Sequence, residues 1–403
     1  MPTFVIAGAS LAGAKAAETL RDEGFDGEIV LLGTELELPY ERPPLSKGYL
    51  LGQDERASIY VQPEEWYAEH GVDLRLGVTV TAIDRAASAV ATSGPGGTQT
   101  LPYDKLLLTT GASPRRLTFP GSDRPEVLYL RTAADSDRLR AAFQAGPRVV
   151  VAGAGWIGLE TTAAARSYDC PVTVLEPQPG ALQDQLGPEL GAVFADLHRS
   201  HGVQFRFGER AEEFRPGLVI TSTGAEVPAD LLVVGVGAAP NDQLAAEAGL
   251  ETSNGVLTDE ALRTADGNIF AAGDVANSVN PLLGRRIRVE HWSNALDGGP
   301  AAARSMLGQP VVYDKVPYFY SDQYDLGMEC AGLPSPGSYD EIAYRGDRAG
   351  LEFIAFWLSG GRVVAGMNVN VWDVNDDIQS LIRSARPVDL ARLTNPDVPL
   401  PEV

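Results

Sequence analysis

The sequence predicts an α/β protein with two strand–glycine loop–helix units and a smaller α+β domain at its C-terminus. The first unit opens the chain, where four apolar residues from Phe4 lead into a glycine loop and an alanine-rich segment. The second unit begins at Val149 and repeats this pattern. From Val311 onward, clustered aromatic residues and alternating apolar runs replace it. We therefore expect two Rossmann-like domains with parallel sheets, followed by a domain of mixed type.

The bulk properties are those of a globular enzyme. A chain of 403 residues is too long for one hydrophobic core, and its 44% hydrophobic and 21% charged content is ordinary for such proteins. No apolar run approaches the roughly 20 residues of a membrane span, and the N-terminus lacks the basic flank of a signal peptide. We expect a cytoplasmic protein.

Charge and cysteine content exclude several classes of function. The net charge of −22 makes nucleic acids and anionic membranes unfavourable partners. The two cysteines, Cys170 and Cys330, lie far apart and belong to no C-x-x-C motif. A disulfide framework, a zinc site and a dithiol redox centre are therefore not expected, and no metal site is predicted.

The first glycine loop is an imperfect dinucleotide fingerprint. It has Gly8 and Gly13 at the outer positions of G-x-G-x-x-G but Ser10 at the middle one. The free amides and the dipole at the start of the following helix would bind phosphate. A second strand, residues 28–33, ends at Thr34 and Glu35, so Glu35 is the candidate ligand of the adenosine ribose. The alternative is a solvated loop carboxylate.

A proline-rich segment follows and ends at Lys47. Pro43 and Pro44 cannot lie inside a helix, but Ser46 could cap a helix that begins after it. Lys47 would then oppose the dipole in the first turn of that helix, which indicates an anionic or electron-rich partner. The alternative is a flexible surface lysine.

The second glycine loop is complete and is the strongest signal in the chain. Gly153, Gly155 and Gly158 follow a strand and precede a helix, and Glu176 ends the next strand 23 positions after Gly153. An acid there favours a free ribose 2′-hydroxyl and repels a 2′-phosphate. No arginine occurs in the next twenty residues. The sequence therefore predicts NADH rather than NADPH.

The remaining segments complete the predicted architecture. We expect antiparallel hairpin layers within residues 72–108 and 203–238, and a short strand that brings Asp274 to the ligand-binding edge of a sheet. Asp274 could also be a helix N-cap. In the last domain the pattern predicts a hairpin over residues 351–371, a helix from about 373 to 384 and a loosely ordered, proline-rich tail.

Taken together, these motifs resemble one family. The chain is similar to the FAD-dependent, NADH-using ferredoxin reductases of bacterial oxygenase systems, of the putidaredoxin, rubredoxin and biphenyl dioxygenase type, within the glutathione-reductase-like superfamily. The resemblance rests on both glycine loops and on residues 42–47, 109–115, 269–274 and 320–324. It implies a discontinuous FAD domain (residues 1–112 and 238–310), an NADH domain (113–237) and a C-terminal domain (311–403) that covers the flavin.

The resemblance also implies site residues. Lys47 would lie beside the flavin and pair with Glu160 across the domain interface, and these two are the implied catalytic residues. The implied FAD-binding residues are Gly8, Ser10, Ala12, Gly13, Thr34, Glu35, Arg42, Lys47, Val80, Thr110, Gly111, Arg131, Gly273, Asp274 and Trp292. The implied NADH-binding residues are Gly153, Gly155, Ile157, Gly158, Glu160, Glu176 and Gly237.

The implied activity is hydride transfer from NADH to FAD, followed by single-electron transfer to a [2Fe–2S] ferredoxin that supplies a cytochrome P450 or a dioxygenase. The enzyme would act as a monomer. Ferredoxins of this kind are usually acidic, as this chain is, so docking would need a local basic patch. Candidates are Arg285, Arg286, Arg288 and Arg304, and the alternative is a solvated charged face.

Three positions and one segment depart from the family pattern. Ser10 replaces a glycine, Thr34 stands where an aspartate is frequent, and Tyr320 replaces a tryptophan. Residues 183–186 lack the arginines that many members place near the NADH phosphates, so NADH could bind more weakly. Two other functions share these folds: a partner-independent flavin NADH oxidase or monodehydroascorbate-type reductase, and an interaction protein similar to apoptosis-inducing factor.

Overall fold

The computed structural model describes residues 1–335 and 337–403. The chain forms two compact units. Unit 1 comprises Met1–Glu41, Glu55–Ser113 and Ala238–Pro317, and unit 2 comprises Arg42–Asp54, Pro114–Gly237 and Tyr318–Val403. Residues 42–54 and the C-terminal region thus group with the segment predicted to bind NADH. The division into three domains stays a prediction.

The chain is composed of β-strands, α-helices and short 3₁₀ turns. The first strands are β1 (Thr3–Ala7), β2 (Glu28–Gly33), β3 (Val72–Leu76), β4 (Thr79–Asp84), β5 (Ala89–Gly94), β6 (Gly97–Pro102), β7 (Lys105–Leu108), β8 (Ala112–Pro114), β9 (Val127–Tyr129), β10 (Val149–Ala152), β11 (Val172–Glu176), β12 (Gln204–Phe207) and β13 (Ala211–Arg215). The later strands are β14 (Gly217–Thr221), β15 (Glu226–Ala229), β16 (Leu231–Val234), β17 (Ala238–Pro240), β18 (Val256–Thr258), β19 (Ile269–Ala271), β20 (Ala276–Asn280), β21 (Arg285–Ile287), β22 (Tyr318–Gln323), β23 (Leu326–Gly332), β24 (Glu341–Asp347), β25 (Glu352–Ser359) and β26 (Arg362–Val369). The α-helices are α1 (Leu11–Asp22), α2 (Glu64–Glu69), α3 (Ala133–Phe143), α4 (Trp156–Ser167), α5 (Gln183–Leu186), α6 (Pro188–Ser200), α7 (Gln243–Glu247), α8 (Trp292–Met306), α9 (Asn375–Ser384) and α10 (Leu390–Thr394). The 3₁₀ turns span Pro43–Ser46, Arg56–Ile59, Gly273–Val275 and Leu400–Glu402.

Unit 1 is built on a five-stranded parallel sheet in the order β19-β7-β1-β2-β3. Its central strands are continuous apolar runs because both faces of the sheet are covered by packed side chains. Strand β3 was predicted to belong to a hairpin layer, but it pairs in parallel with β2 as the edge strand. The hairpin layer is confined to β4, β5 and β6.

Helix α1, which follows the first glycine loop, packs closely against α8. A Cβ atom added to Gly299 of α8 would lie 2.3 Å from the carbonyl oxygen of Ala12. Ala14, Ala16 and Ala17 of α1 are fully buried. Small side chains therefore allow the two helices to approach, and this contact fixes the position of the loop.

Unit 2 combines two sheets around one core. The parallel sheet has the order β12-β11-β10-β16-β9, and the C-terminal antiparallel sheet has the order β22-β23-β26-β25-β24. One continuous cluster of buried side chains includes residues of both sheets. The ring of Trp156, at the start of α4, lies 5.4 Å from that of Phe194 and 5.1 Å from that of Phe319. The C-terminal sheet and the second dinucleotide-binding fold thus share a core.

The C-terminal tail is ordered, so the prediction of a loosely ordered tail was wrong. The guanidinium of Arg345 donates hydrogen bonds to the carbonyl oxygens of Pro396 and Val398 at 3.2 and 2.6 Å. Leu393 and Leu400 are buried. Helix α9 and the hairpin of β25 and β26 confirm the other predictions for this region. Within residues 1–335 and 337–403, no helix has the length and apolar character to span a membrane.

Candidate active site

The outer glycines of the first loop are required by packing. Gly8 has φ +128°, and a Cβ atom there would lie 2.1 Å from the carbonyl oxygen of Thr109. A Cβ atom on Gly13 would lie 2.1 Å from the carbonyl oxygen of Gly8. Neither position accepts a side chain, because the strand and the helix could not then come together.

The middle position of the first loop has different demands. Ser10 is the N-cap of α1 with φ −126° and ψ −167°, an extended conformation that any residue adopts. Its side chain makes no capping hydrogen bond, and the first turn of α1 has no acidic residue. The first-turn amides therefore lack a side-chain cap and retain the partial positive charge that suits a phosphate. Serine at this position is compatible with that role.

The second loop repeats this geometry with a complete set of glycines. Cβ atoms on Gly153 and Gly158 would lie 2.4 Å and 2.1 Å from backbone oxygens. A Cβ atom on Gly155 would meet no atom of the described residues within 4 Å, and the same holds for Gly237 at φ +87°. Open space beside the middle glycine is what close approach of a pyrophosphate requires. Ile157, the second residue of α4, is 44% exposed beside it.

The two predicted ribose ligands are held by hydrogen bonds. In unit 1 the Tyr40 hydroxyl donates to Oε2 of Glu35 at 2.6 Å, so Glu35 is not simply a solvated loop carboxylate. In unit 2 the amides of Ala154 and Gln178 donate to the Glu176 carboxylate at 2.7 and 2.9 Å. Glu176 is thereby oriented against the second glycine loop.

Thr34 and Val80 lie near the end of the unit 1 sheet. Thr34 is exposed, and its hydroxyl accepts a hydrogen bond from that of Thr79 at 3.1 Å. Val80 precedes a register shift between β4 and β5, and such a shift changes where side chains point. Thr110 is fixed by its hydroxyl, which donates to the carbonyl oxygen of Asn241 at 2.8 Å, and Gly111 follows with φ +69°.

Asp274 is not a helix N-cap, so that alternative was wrong. It lies inside the 3₁₀ turn Gly273–Val275, whose N-cap is Ala272. Gly273 has φ +73°, and a Cβ atom there would lie 3.2 Å from that of Ala12. The turn that carries Asp274 therefore packs directly on α1.

Trp292 is the first residue of α8 and lies beside Glu41. Burial raises the pKa of the Glu41 carboxyl, while the Trp292 indole and the Lys15 ammonium oppose that rise. Trp292 and the Asp274 turn thus both belong to unit 1, as does the first glycine loop.

The helix predicted to begin after Ser46 does not form, so the dipole argument for Lys47 was wrong. Residues 43–46 make a 3₁₀ turn instead, and Lys47 follows it as the C-cap. An anionic partner nevertheless exists. Lys47 Nζ lies 2.8 Å from Oε2 of Glu160, and the two side chains are only 14% and 3% exposed. The predicted pair forms, and both residues belong to unit 2.

Glu160 is also held by two serine hydroxyls that were not predicted from the sequence. Ser46 donates to its Oε2, and Ser321 donates to its Oε1 at 2.7 Å. The Tyr320 ring centroid lies 5.3 Å from Lys47 Nζ. A buried carboxylate needs both a counter-charge and hydrogen-bond donors, and this arrangement supplies both to Glu160. Lys47 is therefore not a flexible surface lysine.

Two further groups complete this region of unit 2. The Arg42 guanidinium donates to the carbonyl oxygen of Arg131, which brings these two predicted FAD ligands together. Asp322 lies next to the Lys47–Glu160 pair. Burial raises the pKa of the Asp322 carboxyl, Lys47 opposes that rise and Glu160 adds to it. Asp322 could have been found from the sequence, since it follows Ser321 in the motif that carried the resemblance.

Most arginines of the predicted basic patch already have partners. Arg304 pairs with Glu23 at 2.8 Å and Arg288 with Glu290 at 2.7 Å. Arg286 donates to the carbonyl oxygens of Thr258 and Asn277. Arg285 is exposed, and it forms no ion pair within the residues that the structure describes. The positive charge available for docking is smaller than the sequence suggests.

Both cysteines are buried and free. Burial raises the pKa of each thiol, to about 12 for Cys330. A neutral, enclosed thiol is unreactive, so neither cysteine has the character of a redox-active dithiol.

Comparison with known proteins identifies the class. Residues 2–299 match the pyridine nucleotide-disulphide oxidoreductase family, and residues 318–403 match the reductase C-terminal family. The chain is 41% identical to the ferredoxin–NAD(+) reductase component of the anthranilate 1,2-dioxygenase system of Burkholderia cepacia, over 98% of each chain. It is 35% identical to putidaredoxin reductase of Pseudomonas putida, over 99% of this chain and 96% of the other.

Comparison with solved structures leads to the same class of protein. The covalent putidaredoxin reductase–putidaredoxin complex contains a chain that superposes with a TM-score of 0.95 at 35% identity, covering 100% of this chain and 97% of that one. The chain belongs to the pyridine nucleotide-disulphide oxidoreductase family and, within it, to the ferredoxin–NAD(+) reductases. These enzymes use FAD and NAD(H). The predicted fold class, cofactors and oxidoreductase activity are confirmed.

Proposed function

We propose that this protein oxidises NADH and delivers the electrons singly to a [2Fe–2S] ferredoxin that serves a cytochrome P450 or a dioxygenase. Its relatives over nearly the whole chain include reductase components of the anthranilate and p-cumate dioxygenase systems. The observation that carries the proposal is the buried Lys47–Glu160 pair, which lies in the same unit as the second glycine loop.

The residues of unit 1 fit FAD. The uncapped first turn of α1 offers amides for the pyrophosphate, and Glu35 follows the end of β2, at the position of a ribose ligand. The proposed FAD-binding residues are those implied by the resemblance: Gly8, Ser10, Ala12, Gly13, Thr34, Glu35, Arg42, Lys47, Val80, Thr110, Gly111, Arg131, Gly273, Asp274 and Trp292. Within this set Ala12 serves as the packing surface for Gly273 and Gly299.

The residues of unit 2 fit NADH. Gly155 leaves room for a pyrophosphate, and two backbone amides hold the Glu176 carboxylate beside this loop, which supports its role as a ribose ligand. A carboxylate there disfavours a 2′-phosphate, which supports NADH over NADPH. We assign Gly153, Gly155, Ile157, Gly158, Glu160, Glu176 and Gly237 to this site.

FAD, when bound, supplies the redox chemistry, accepting a hydride from NADH and releasing electrons singly. The protein's own part is electrostatic and positional. Lys47 presents one positive charge, which stabilises negative charge nearby, and Glu160 holds the Lys47 ammonium in place. No side chain needs to act as a nucleophile, and the buried cysteines have no part.

The location and assembly of the enzyme are also proposals. Two free, buried cysteines and the use of NADH support a cytoplasmic enzyme. We propose that it works as a monomer, and that Arg285 and Arg286 contribute to ferredoxin docking.

A steady-state comparison tests this function. NADH oxidation by the purified yellow protein is measured with oxygen alone and then with a [2Fe–2S] ferredoxin and cytochrome c. We expect strong stimulation by the ferredoxin. Equal rates with and without every ferredoxin tried would instead support a partner-independent NADH oxidase and would overturn the proposal.

A further inference from the structure

A line of hydrogen bonds leads away from Glu160 through the interior of unit 2. The Ser321 hydroxyl lies 2.7 Å from Oε1 of Glu160, and Nε2 of Gln323 lies 3.1 Å from that hydroxyl. The other end of the Gln323 amide, Oε1, lies 2.8 Å from Nε2 of His198. The Tyr324 hydroxyl completes the line, 3.0 Å from Nδ1 of His198. The line joins β22 and the turn after it to helix α6.

The chemistry of these groups gives the line a single direction. Glu160 is a carboxylate and only accepts, so Ser321 must donate to it. The amide nitrogen of Gln323 only donates, so its oxygen must accept from Nε2–H of His198. Nδ1 of neutral His198 then accepts from the Tyr324 hydroxyl. Every donor in the line therefore points toward the negative charge of Glu160.

Four of the five groups in the line are sealed from solvent, and Tyr324 at its end is partly exposed. Ser321 and His198 are 0% exposed, Gln323 is 1% and Glu160 is 4%. Burial lowers the pKa of His198 to about 4, and the Gln323 hydrogen bond opposes that shift. His198 is therefore neutral at pH 7, as the direction of the line requires.

The charged and titratable neighbours lie at the two ends of the line. Lys47, Asp322 and Glu329 stand at the Glu160 end. At the Tyr324 end, the His201 ring stacks on Tyr324 at 3.7 Å, and Arg166 acts electrostatically on Tyr324. A protonated His198 would lie near His201 and would donate from Nδ1, so the bond to the Tyr324 hydroxyl would have to reverse and the donors would no longer all point toward Glu160.

We propose that Ser321, Gln323 and His198 are positioning residues that hold the Glu160 carboxylate in one orientation, and through it fix the Lys47 ammonium. The inference rests on the proposed function only in assigning Lys47 to the flavin. The line connects this ion pair to helix α6, which contributes His198. A buried polar line in which every member is satisfied specifies one arrangement of its groups.

The first test is independent of catalysis. The chain has four histidines, so ¹⁵N-detected ring signals of the FAD-loaded protein can be assigned by single substitution. We expect His198 to be the neutral Nε2–H tautomer from pH 7 to pH 5. A neutral Nδ1–H tautomer, or a charged ring at pH 6, would overturn the proposal.

The second test breaks the line in its middle, at Gln323, and separately removes the hydroxyl at its Tyr324 end. Gln323→Met keeps the volume but removes both hydrogen bonds, and Tyr324→Phe removes only the terminal hydroxyl. We expect Gln323→Met to shift the His198 ring signals and to lower kcat for NADH-to-dye reduction about tenfold, with KM for NADH changed less than twofold. Tyr344→Phe, whose hydroxyl instead bonds Glu189 in an exposed pair, is the matched control and should match the wild type.

Rescue separates positioning from general damage. Ser321→Ala removes the donor to Glu160, whereas Ser321→Thr keeps a hydroxyl. We expect kcat to fall in Ser321→Ala and to recover at least half of that loss in Ser321→Thr. If Gln323→Met does not fold, the His198 ring signals of Tyr324→Phe still test the proposal, because loss of the Tyr324 hydroxyl should shift them. Wild-type kcat in Ser321→Ala with unchanged ring signals in Tyr324→Phe would overturn the proposal, whether or not ferredoxin stimulates the enzyme.

Discussion

Separating Lys47 from Glu160 is the perturbation whose consequence follows most directly from the structure. The two charged atoms are 2.8 Å apart, and the side chains are 14% and 3% exposed. Two unit charges at this separation attract by about 6 kcal/mol at an effective dielectric constant of about 20. Desolvation cancels much of this attraction, but removing one partner leaves the other charge buried and typically costs about 3–5 kcal/mol.

The two single substitutions should not be equal. Lys47→Met leaves Glu160, the more buried partner, with only serine donors, so we expect a loss near the upper end of that range. Glu160→Gln leaves the Lys47 ammonium, which is closer to solvent and can still donate to the amide oxygen of the substituted side chain. We therefore expect a loss of unfolding free energy near the lower end of that range. The double variant has no buried charge at this site, and we expect it to be more stable than Lys47→Met alone.

A double-mutant cycle measures this coupling. The free energy of unfolding of all four proteins is obtained from urea denaturation with FAD in fixed excess, followed by both flavin fluorescence and circular dichroism. We expect a coupling free energy of at least about 2 kcal/mol. Additivity of the two single effects to within about 0.5 kcal/mol would refute the reasoning, since it would mean that the pair is effectively solvated.

Three other predictions follow from the loops, the buried histidines and the arginines. Ser10→Gly should retain FAD, because the loop geometry suits either residue, whereas Ser10→Leu should purify without flavin; full flavin content in Ser10→Leu, measured by absorbance, would mean that the loop is wrongly assigned. Burial lowers the pKa values of His198 and His291 to about 4. Between pH 6.5 and pH 4 the unfolded chain therefore binds more protons than the folded one, and the free energy of unfolding should fall as the pH is lowered through this window. Urea midpoints that stay constant from pH 7 to pH 5 would contradict this. Replacing Arg285 and Arg286 by glutamine should slow ferredoxin reduction and weaken its salt dependence while leaving NADH-to-dye turnover unchanged, and equal ferredoxin rates would remove this patch from the docking surface.

The parts of the fold that sequence could predict are those fixed by local chemistry. Continuous apolar strands, glycines at crowded turns and an acid at a strand end each follow from a short stretch of chain, and both loops were predicted from them. Gly8 and Gly153 occupy equivalent positions, because at each a Cβ atom would clash with the carbonyl oxygen of a neighbouring strand end. The fingerprint of the first loop alone was weak evidence for a dinucleotide site, and the complete fingerprint at Gly153 strengthened that interpretation.

The parts that sequence could not predict depend on contacts between distant segments. Strand β3 resembles its hairpin neighbours in sequence, and only its pairing with β2 places it in the parallel sheet. The partner of Lys47 was inferred correctly although the helix argument for it was wrong, because the resemblance supplied Glu160 independently. The hydroxyls of Ser46 and Ser321 on Glu160, like the line through His198, join residues more than a hundred positions apart.

The central claim is that the electrons of one NADH leave this protein singly, toward an iron–sulfur partner. Anaerobic stopped-flow mixing of NADH, a catalytic amount of the enzyme and excess [2Fe–2S] ferredoxin measures this directly, from the absorbance of each species. We predict two ferredoxin molecules reduced for each NADH consumed, and no reduction without the enzyme. NADH consumption that proceeds only when oxygen is admitted, with the ferredoxin left oxidised, would contradict this claim.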